Sequence, residues 1–254
     1  MKWKCVGIVA IIGIAACCLF GGISPAQAPT QLPPRVIDCS PKPFETRIEP
    51  ALPEISVTFD RPMNTVDRVR FEGIRFMGAF PGVRDAEPTW DENRTTCVLP
   101  VQLQPDVTYA VAINTSKGRS FKDANGVLAV GFAWVFATGE RTEDDFPAHV
   151  VECDPPLGAA DVDFRKREIK ATFNRPIAPG DYSWVLQQGS GEYPGTRGGP
   201  SPALSEDRRT VSLEVRLSPG TVYALGVNDL YYYGYKDKNG RPVLPFGWCF
   251  RTAE

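Results

Sequence analysis

The sequence predicts an all-β protein in which an N-terminal signal peptide precedes two tandem antiparallel β-sandwiches. Three observations support this fold class. The chain repeats itself at a constant spacing of 114 residues, apolar and polar residues alternate in short runs, and 24 Pro and 23 Gly separate those runs. Alternation with a period of two is typical of half-buried strands, and no segment shows the 3.6-residue period of an amphipathic helix. A repeat this long is a duplicated domain and not a solenoid unit.

The first segment has the features of an exported protein. Lys2 and Lys4 precede an apolar run, and Ala26-Gln-Ala28 follows it with the small-x-small pattern that signal peptidase recognises. We therefore expect a signal peptide at 1–28, cleaved after Ala28. Two alternatives stay open: a lipoprotein whose lipid is attached to Cys17 within Ile14-Ala-Ala-Cys17, and a retained membrane helix.

The repeat sets the domain boundaries. Residues 29–34 form a Pro-rich lead, and we expect the first copy at 35–140, a polar linker at 141–148 and the second copy at 149–254. Each copy is 106 residues long, about the size of one β-sandwich domain. Four matched pairs of segments carry the repeat: 36–41 with 150–155, 55–63 with 169–177, 122–126 with 236–240, and 132–138 with 246–252.

Each recurring segment predicts one element. Ile55-Ser-Val-Thr-Phe59 alternates strictly and predicts a strand that Pro62 ends, because proline cannot continue a β-ladder. The tyrosines at 109 and 223 follow a proline at the spacing of a tyrosine corner, whose hydroxyl bonds nearby backbone. Asp-x-Asn-Gly at 123–126 and 237–240 predicts a tight hairpin turn. The matched Trp134 and Trp248 are expected in the core.

Taken together, these motifs resemble the bacterial Ig-like domains of the surface-layer-protein type. The pattern is Ile-x-Val-x-Phe-Asp-Arg-Pro-Met at 55–63, Leu-x-Pro-x-x-x-Tyr at 103–109, and Asp-x-Asn-Gly before Phe-x-Trp-x-Phe-x-Thr at 123–138. The second copy keeps this pattern, with Asn174 in place of Asp60 and Ile177 in place of Met63. The resemblance implies two tandem Ig-like sandwiches in a secreted or cell-surface module used for spacing, display or binding. It implies no catalytic residues.

Four cysteines remain after signal cleavage: Cys39, Cys97, Cys153 and Cys249. An oxidising compartment favours disulfides, and pairing within each copy gives Cys39–Cys97 and Cys153–Cys249 as the expected bridges. The alternative is four buried free thiols, since free cysteine is often a core residue. We expect no metal site, because the chain has no Cys-x-x-Cys and one histidine, His149.

Positions where the copies differ in chemistry are the candidate ligand-binding residues. The second copy has Tyr231, Tyr232 and Tyr233 where the first has Lys117-Gly-Arg119, and it has Tyr182 and Trp184 where the first has arginines. In an Ig-type sandwich both segments lie at one end, so they would form an aromatic platform in the second copy and a basic one in the first. The alternative is that these rings pack inside the protein, with Trp184 as a core tryptophan.

The remaining features bound the function. No basic run indicates nucleic acid as a partner, and no phosphate-binding loop or cofactor motif follows a strand. A Ser-His-Asp site would have to use His149, which we expect at the solvent-exposed linker. The sequence therefore predicts an exported, non-enzymatic binding or spacer module of the cell envelope, whose partner is an envelope protein or a glycan. A carbohydrate-binding protein that uses the second-copy aromatics is the first alternative, and a secreted hydrolase is the second.

Overall fold

The structure is a computed structural model that describes residues 31–83, 87–115, 118–196 and 202–254. Apart from one 3-10 turn at Glu143–Asp145, these residues form strands and connecting loops. The expected signal peptide and the alternative lipidation site at Cys17 lie outside the described residues. Within the described ranges, no helix is long and apolar enough to cross a membrane.

The first copy forms two antiparallel sheets, in the orders β1-β2-β6-β4 and β3-β7-β8, and β5 also pairs with β6. Its strands are β1 (Val36–Ser40), β2 (Glu54–Phe59), β3 (Glu72–Gly73), β4 (Gly82–Val83), β5 (Thr89–Trp90), β6 (Thr96–Gln102), β7 (Thr108–Ile113) and β8 (Phe132–Ala137).

The second copy also forms two sheets, in the orders β13-β15-β11-β9 and β10-β17-β16-β12, and β14 also pairs with β15. The pair β10–β17 is parallel and the others are antiparallel. Its strands are β9 (Val150–Asp154), β10 (Ala159–Val162), β11 (Glu168–Phe173), β12 (Trp184–Leu186), β13 (Gly195–Thr196), β14 (Ala203–Leu204), β15 (Thr210–Arg216), β16 (Val222–Val227) and β17 (Phe246–Thr252).

The alternating pattern places apolar side chains in the space between the sheets. Along β2, Ile55, Val57 and Phe59 are buried, while the residues between them are half-buried. Trp134 and Trp248 are fully buried in the first and second copies, as the sequence predicts. Burial of each large apolar side chain stabilises the fold by about 1.5–3 kcal/mol. Antiparallel pairing and the buried faces together confirm the all-β fold class.

A buried asparagine closes the same loop in both copies. The Asn114 amide donates to the carbonyls of Phe121 (2.6 Å) and Ala129 (2.9 Å), and its oxygen accepts from the N–H groups of Ser120 and Phe121. Asn228 repeats the donor pattern with the carbonyls of residues 235 and 243. Both asparagines have a positive φ, 50° and 55°, which asparagine tolerates better than most residues. The positions that the sequence marks as equivalent therefore have equivalent geometry.

The tyrosine corner is present in both copies. The Tyr109 hydroxyl accepts from the Gln104 N–H at 2.6 Å, and the Tyr223 hydroxyl accepts from the Ser218 N–H at 2.7 Å. Both tyrosine rings are buried, with only the hydroxyl reaching the turn. This geometry confirms the role that the proline-to-tyrosine spacing predicts.

The expected disulfides are wrong, because all four described cysteines are free thiols. In the first copy, Cys39 and Cys97 lie on strands on opposite sides of β2, and both pair with Val57. Two strand spacings separate them by about 10 Å, beyond the roughly 7 Å that a disulfide can bridge. In the second copy, Cys153 packs on the sandwich core, whereas Cys249 packs on the opposite face of its sheet.

Candidate binding surface

The two copies pack against each other through the outer faces of equivalent strands. Val135 of β8 is fully buried in a cluster that includes Leu244 of the second copy. At the equivalent place, Cys249 of β17 is fully buried in a cluster with Val130 of the first copy. The pair Val135 and Leu244 thus has an equivalent pair, Cys249 and Val130, in which the two copies exchange places. This exchange is the property of a self-complementary two-fold interface.

The segment that leads into each copy crosses onto the other copy. Leu32, in the lead of the first copy, packs on the cluster around Cys249. Phe146, at the position 114 residues later, is buried in the cluster around Val135. Within the segment 141–148, residues 146–148 are therefore part of the buried interface, whereas residues 142–145 are exposed to solvent. Because this interface is apolar and continuous with both sheets, we expect the two copies to move as one body.

The arginines of the Asp-Arg-Pro and Asn-Arg-Pro motifs hold these crossing segments. An Nη atom of Arg61 donates to the Leu32 carbonyl at 2.9 Å, and one of Arg175 donates to the Phe146 carbonyl at 2.9 Å. The guanidinium of Arg61 also pairs with the neighbouring Asp60. The two arginines thus do more than end a strand, because they fix the path by which each lead reaches the opposite copy.

His149 lies inside this interface and not in exposed linker, which corrects the expectation from sequence. Its ring stacks on Phe44 of the first copy, with centroids 4.0 Å apart. Burial lowers the pKa of His149 below its ordinary value, and the nearby Arg175 adds to that shift. The imidazole is therefore neutral at pH 7 and acts as a packing group.

Two of the five candidate aromatics belong to the core. Trp184 packs between Tyr235 and Trp248, with centroid distances of 6.1 and 6.0 Å. Tyr182 is half-buried, with its ring 5.2 Å from that of Tyr235. The expectation that these two join an exposed platform is wrong, because their rings fill the second sandwich. Their segment does neighbour the 231–233 loop, since the Gly234 N–H donates to the Ser183 hydroxyl at 2.8 Å.

The other three candidates are on the surface. Tyr231, Tyr232 and Tyr233 are 54%, 66% and 42% exposed. The Tyr233 ring contacts the ring of Phe76 from the first copy, with centroids 5.0 Å apart, and Phe76 is 44% exposed. We call these four residues the aromatic patch. It spans both copies, which no inspection of the second copy alone would show.

A buried carboxylate holds the loop that carries the patch. Oδ1 of Asp229 accepts from the backbone N–H groups of Tyr231 and Tyr232, both at 2.6 Å, and the Asp229 N–H donates to the Tyr232 carbonyl at 2.8 Å. The loop is therefore ordered before any ligand arrives, which lowers the entropic cost of binding. Sequence reasoning missed Asp229 and Phe76. The comparison between copies that identified the tyrosines could also have identified these two residues. Asp229 corresponds to Thr115 and Phe76 to Ser190, so both positions differ in chemistry between the copies.

A groove of about 680 Å³ adjoins the patch. Phe76 and Phe80 of the first copy and Leu230 of the second give it apolar walls, and Arg70 and Arg75 add two guanidinium groups. Because Leu230 directly precedes the three tyrosines, groove and patch form one surface across the two copies.

The basic residues expected to form one platform in the first copy contact different partners. Arg68 pairs with Glu87, and Arg119 donates to Gln188 of the second copy at 2.7 Å. Arg70 lines the groove, and Lys117 lies outside the described residues. The basic and aromatic segments thus meet at one junction and do not form two separate platforms.

The Asp-x-Asn-Gly segments form turns. Oδ1 of Asp123 accepts from the N–H groups of Asn125 and Val127, and Asp237 repeats this with Asn239 and Arg241. No group of three or more His, Cys, Asp or Glu residues that could hold a metal ion occurs within the described ranges. The aspartates therefore serve their own backbone, as the hairpin interpretation predicts.

Comparison with protein families decides the identity of the first copy. Residues 30–138 match the family described as bacterial Ig-like domain, Big_5. The first copy is thus similar to a bacterial Ig-like domain. The match covers the first copy from its lead to Thr138, the residue after β8, which confirms the resemblance carried by the Asp-Arg-Pro and Phe-x-Trp-x-Phe motifs. No curated protein matches the chain.

Solved structures similar to this chain include surface and Ig-type proteins. The S-layer protein rSbsC(31-844) is 12% identical with a TM-score of 0.29, and the match covers 88% of this chain but 26% of that one. SGBP-B from a complex xyloglucan utilization locus in Bacteroides uniformis is 10% identical with a TM-score of 0.22, covering 83% of this chain and 49% of that one. These scores carry no argument about what the bacterial Ig-like domain here binds.

Proposed function

We propose that this chain is an exported, non-enzymatic binding module of the cell envelope, and that the aromatic patch is its binding surface. The observation that supports the proposal most directly is the contact between Phe76 and Tyr233. It joins exposed rings from two copies that a buried interface holds in place. Exposed aromatic rings that are already ordered offer a large contact area at low entropic cost. The signal-peptide pattern at 1–28 supports export.

A carbohydrate is the ligand that this surface fits best. The apolar C–H face of a pyranose packs on an aromatic ring, whose face carries partial negative charge. The groove beside the rings then supplies the hydrogen-bonding groups that fix orientation, from Arg70, Arg75 and Glu72. The combination of rings and polar groups favours a saccharide over an apolar peptide.

The test is binding of the mature chain, residues 29–254, to an array of bacterial and plant glycans. Tyr232→Ser and Phe76→Ser, one in each copy, are each expected to reduce binding at least tenfold, whereas Tyr232→Phe keeps most of it because the ring remains. Val66→Ser is the matched control, since Val66 is an exposed apolar residue outside the patch and groove.

A passive spacer and a hydrolase predict different outcomes. If the wild-type chain is retained by no glycan, or if both serine variants bind as the wild type does, the patch is not the binding surface and the spacer function is favoured. Turnover of any glycosidic or ester substrate by the mature chain would contradict the non-enzymatic part of the proposal. A glycosidase would need two carboxylates placed about 5–10 Å apart across a cleft.

A further inference from the structure

The groove beside the aromatic patch holds two arginines without acidic partners. Arg70 and Arg75 both line it and are exposed, and within the described part of the chain neither guanidinium forms an ion pair. Arg68, two residues from Arg70, is by contrast paired with Glu87. Within the described residues no carboxylate therefore pairs with either guanidinium, and the groove, with two arginines and Glu72, keeps a net positive charge.

The acidic groups nearest the groove are already engaged. Glu72 lines the groove, but its Oε2 accepts the Thr115 hydroxyl. The carboxylate of Asp229 accepts two backbone N–H groups of the tyrosine loop. Two free guanidinium groups beside exposed aromatic rings thus remain to meet a ligand.

We propose that the ligand is an acidic polysaccharide, in which sugar rings stack on Phe76 and Tyr232 while uronate carboxylates are bound by Arg70 and Arg75. A guanidinium donates two parallel N–H bonds to a carboxylate, which adds direction as well as energy. Exposed aromatic rings beside a groove that carries two arginines match a polymer that alternates apolar ring faces with charged edges. This inference rests on the proposed function, since it names the ligand class of the same surface.

The experiment compares two polymers with one backbone. Binding of the mature chain to polygalacturonate and to its fully methyl-esterified form is measured by isothermal titration calorimetry. Wild type is expected to bind polygalacturonate at least tenfold more tightly than the ester. Arg70→Gln/Arg75→Gln is expected to lose that preference and to bind both polymers equally, whereas Tyr231→Ser/Tyr232→Ser is expected to lose affinity for both.

Two controls separate specific recognition from net charge. Arg47→Gln/Arg68→Gln removes the same two charges from exposed arginines that are paired with Glu140 and Glu87, and it should change affinity less than twofold. Inorganic phosphate at millimolar concentration should not displace the polymer. Displacement would overturn the uronate assignment by showing a simple anion site.

The outcomes separate this inference from the proposed function. The acidic-ligand inference is overturned if the wild type binds the two polymers with equal affinity, or if the Arg47/Arg68 control loses as much affinity as the Arg70/Arg75 variant. In either case the serine variants still test the aromatic patch by themselves. Unchanged polygalacturonate binding in the tyrosine double variant would instead show that the aromatic patch is not the surface. Wild type that binds neither polymer overturns the acidic-ligand inference, and the glycan array then decides the function.

Discussion

The packing between the copies leads to a specific prediction for Gly247 of β17. A Cβ at this position would collide with the carbonyl oxygen of Gly131 and with Cγ1 of Val130, and would lie 2.9 Å from the Gly131 nitrogen. The obstructing atoms belong to the other copy, and two of them are backbone, so they cannot rotate away. Overpacking of this kind costs about 1–3 kcal/mol. Gly247→Ala is therefore expected to lower the free energy of unfolding by about 2 kcal/mol.

Urea denaturation followed by tryptophan fluorescence measures this loss, and small-angle X-ray scattering measures whether the copies separate. Gly195→Ala is the matched control, because the nearest atom to its new Cβ would lie at 3.7 Å, an ordinary contact. It should change stability by less than about 0.5 kcal/mol. If Gly247→Ala is as stable as the control and its scattering is unchanged, the copies are not held as tightly as the structure indicates. The argument for an ordered cross-copy patch would then fail.

Three further predictions follow from the buried polar and titratable groups. Asn114→Ala leaves the N–H groups of Ser120 and Phe121 without their acceptor, so we expect a loss of about 3 kcal/mol in the free energy of unfolding by urea denaturation. Burial raises the pKa values of Cys39, Cys97 and Cys249 to about 12, so Ellman's reagent at pH 8 should label these thiols in urea and leave them unlabelled in the native chain. The lowered pKa of His149 means that the unfolded chain takes up its proton first. Stability should therefore fall as the pH drops below about 6.5, and His149→Gln should remove that part of the pH dependence in urea melts.

Each of these has an outcome that contradicts it. An Asn114→Ala variant as stable as the wild type would show that water replaces the amide. Fewer than four free thiols per mature chain in urea without reductant would restore the disulfide hypothesis. An unchanged pH profile in His149→Gln would assign the acid sensitivity to carboxylates, whose lowered pKa values act at more acidic pH.

The fold was largely predictable because its signals are local. Alternation at 55–59, the proline that ends that strand, and the Asn-Gly turns each depend on a few neighbouring residues, and the structure places all of them as expected. The disulfides were not predictable in this way. Whether two cysteines can meet depends on strand order, and β2 lies between Cys39 and Cys97.

The part of the candidate site that depends on local sequence was predictable, and the part that depends on packing between the copies was not. Comparing the copies identified the tyrosine loop, because an exposed loop can change its chemistry from one copy to the other without disturbing the core. It also selected Trp184, since the comparison cannot tell a diverged core position from a diverged surface. Phe76 was missed because its importance comes from the way the copies pack, and the apolar residues at that interface have no distinctive sequence pattern.

The two-fold character of the interface explains how the repeat could generate a site that neither copy has alone. Packing through equivalent strands uses the same face of each copy, so the loops beside that face come together from both sides. Two identical copies would form the same pairing of loops twice, once on each side of the interface, but here the two copies have diverged. The first copy contributes Phe76 with two arginines, and the second contributes three tyrosines. Divergence between the copies therefore leaves aromatic rings on one side of the interface, where Phe76 meets Tyr233, because the residues that correspond to them on the other side are Ser190 and Arg119.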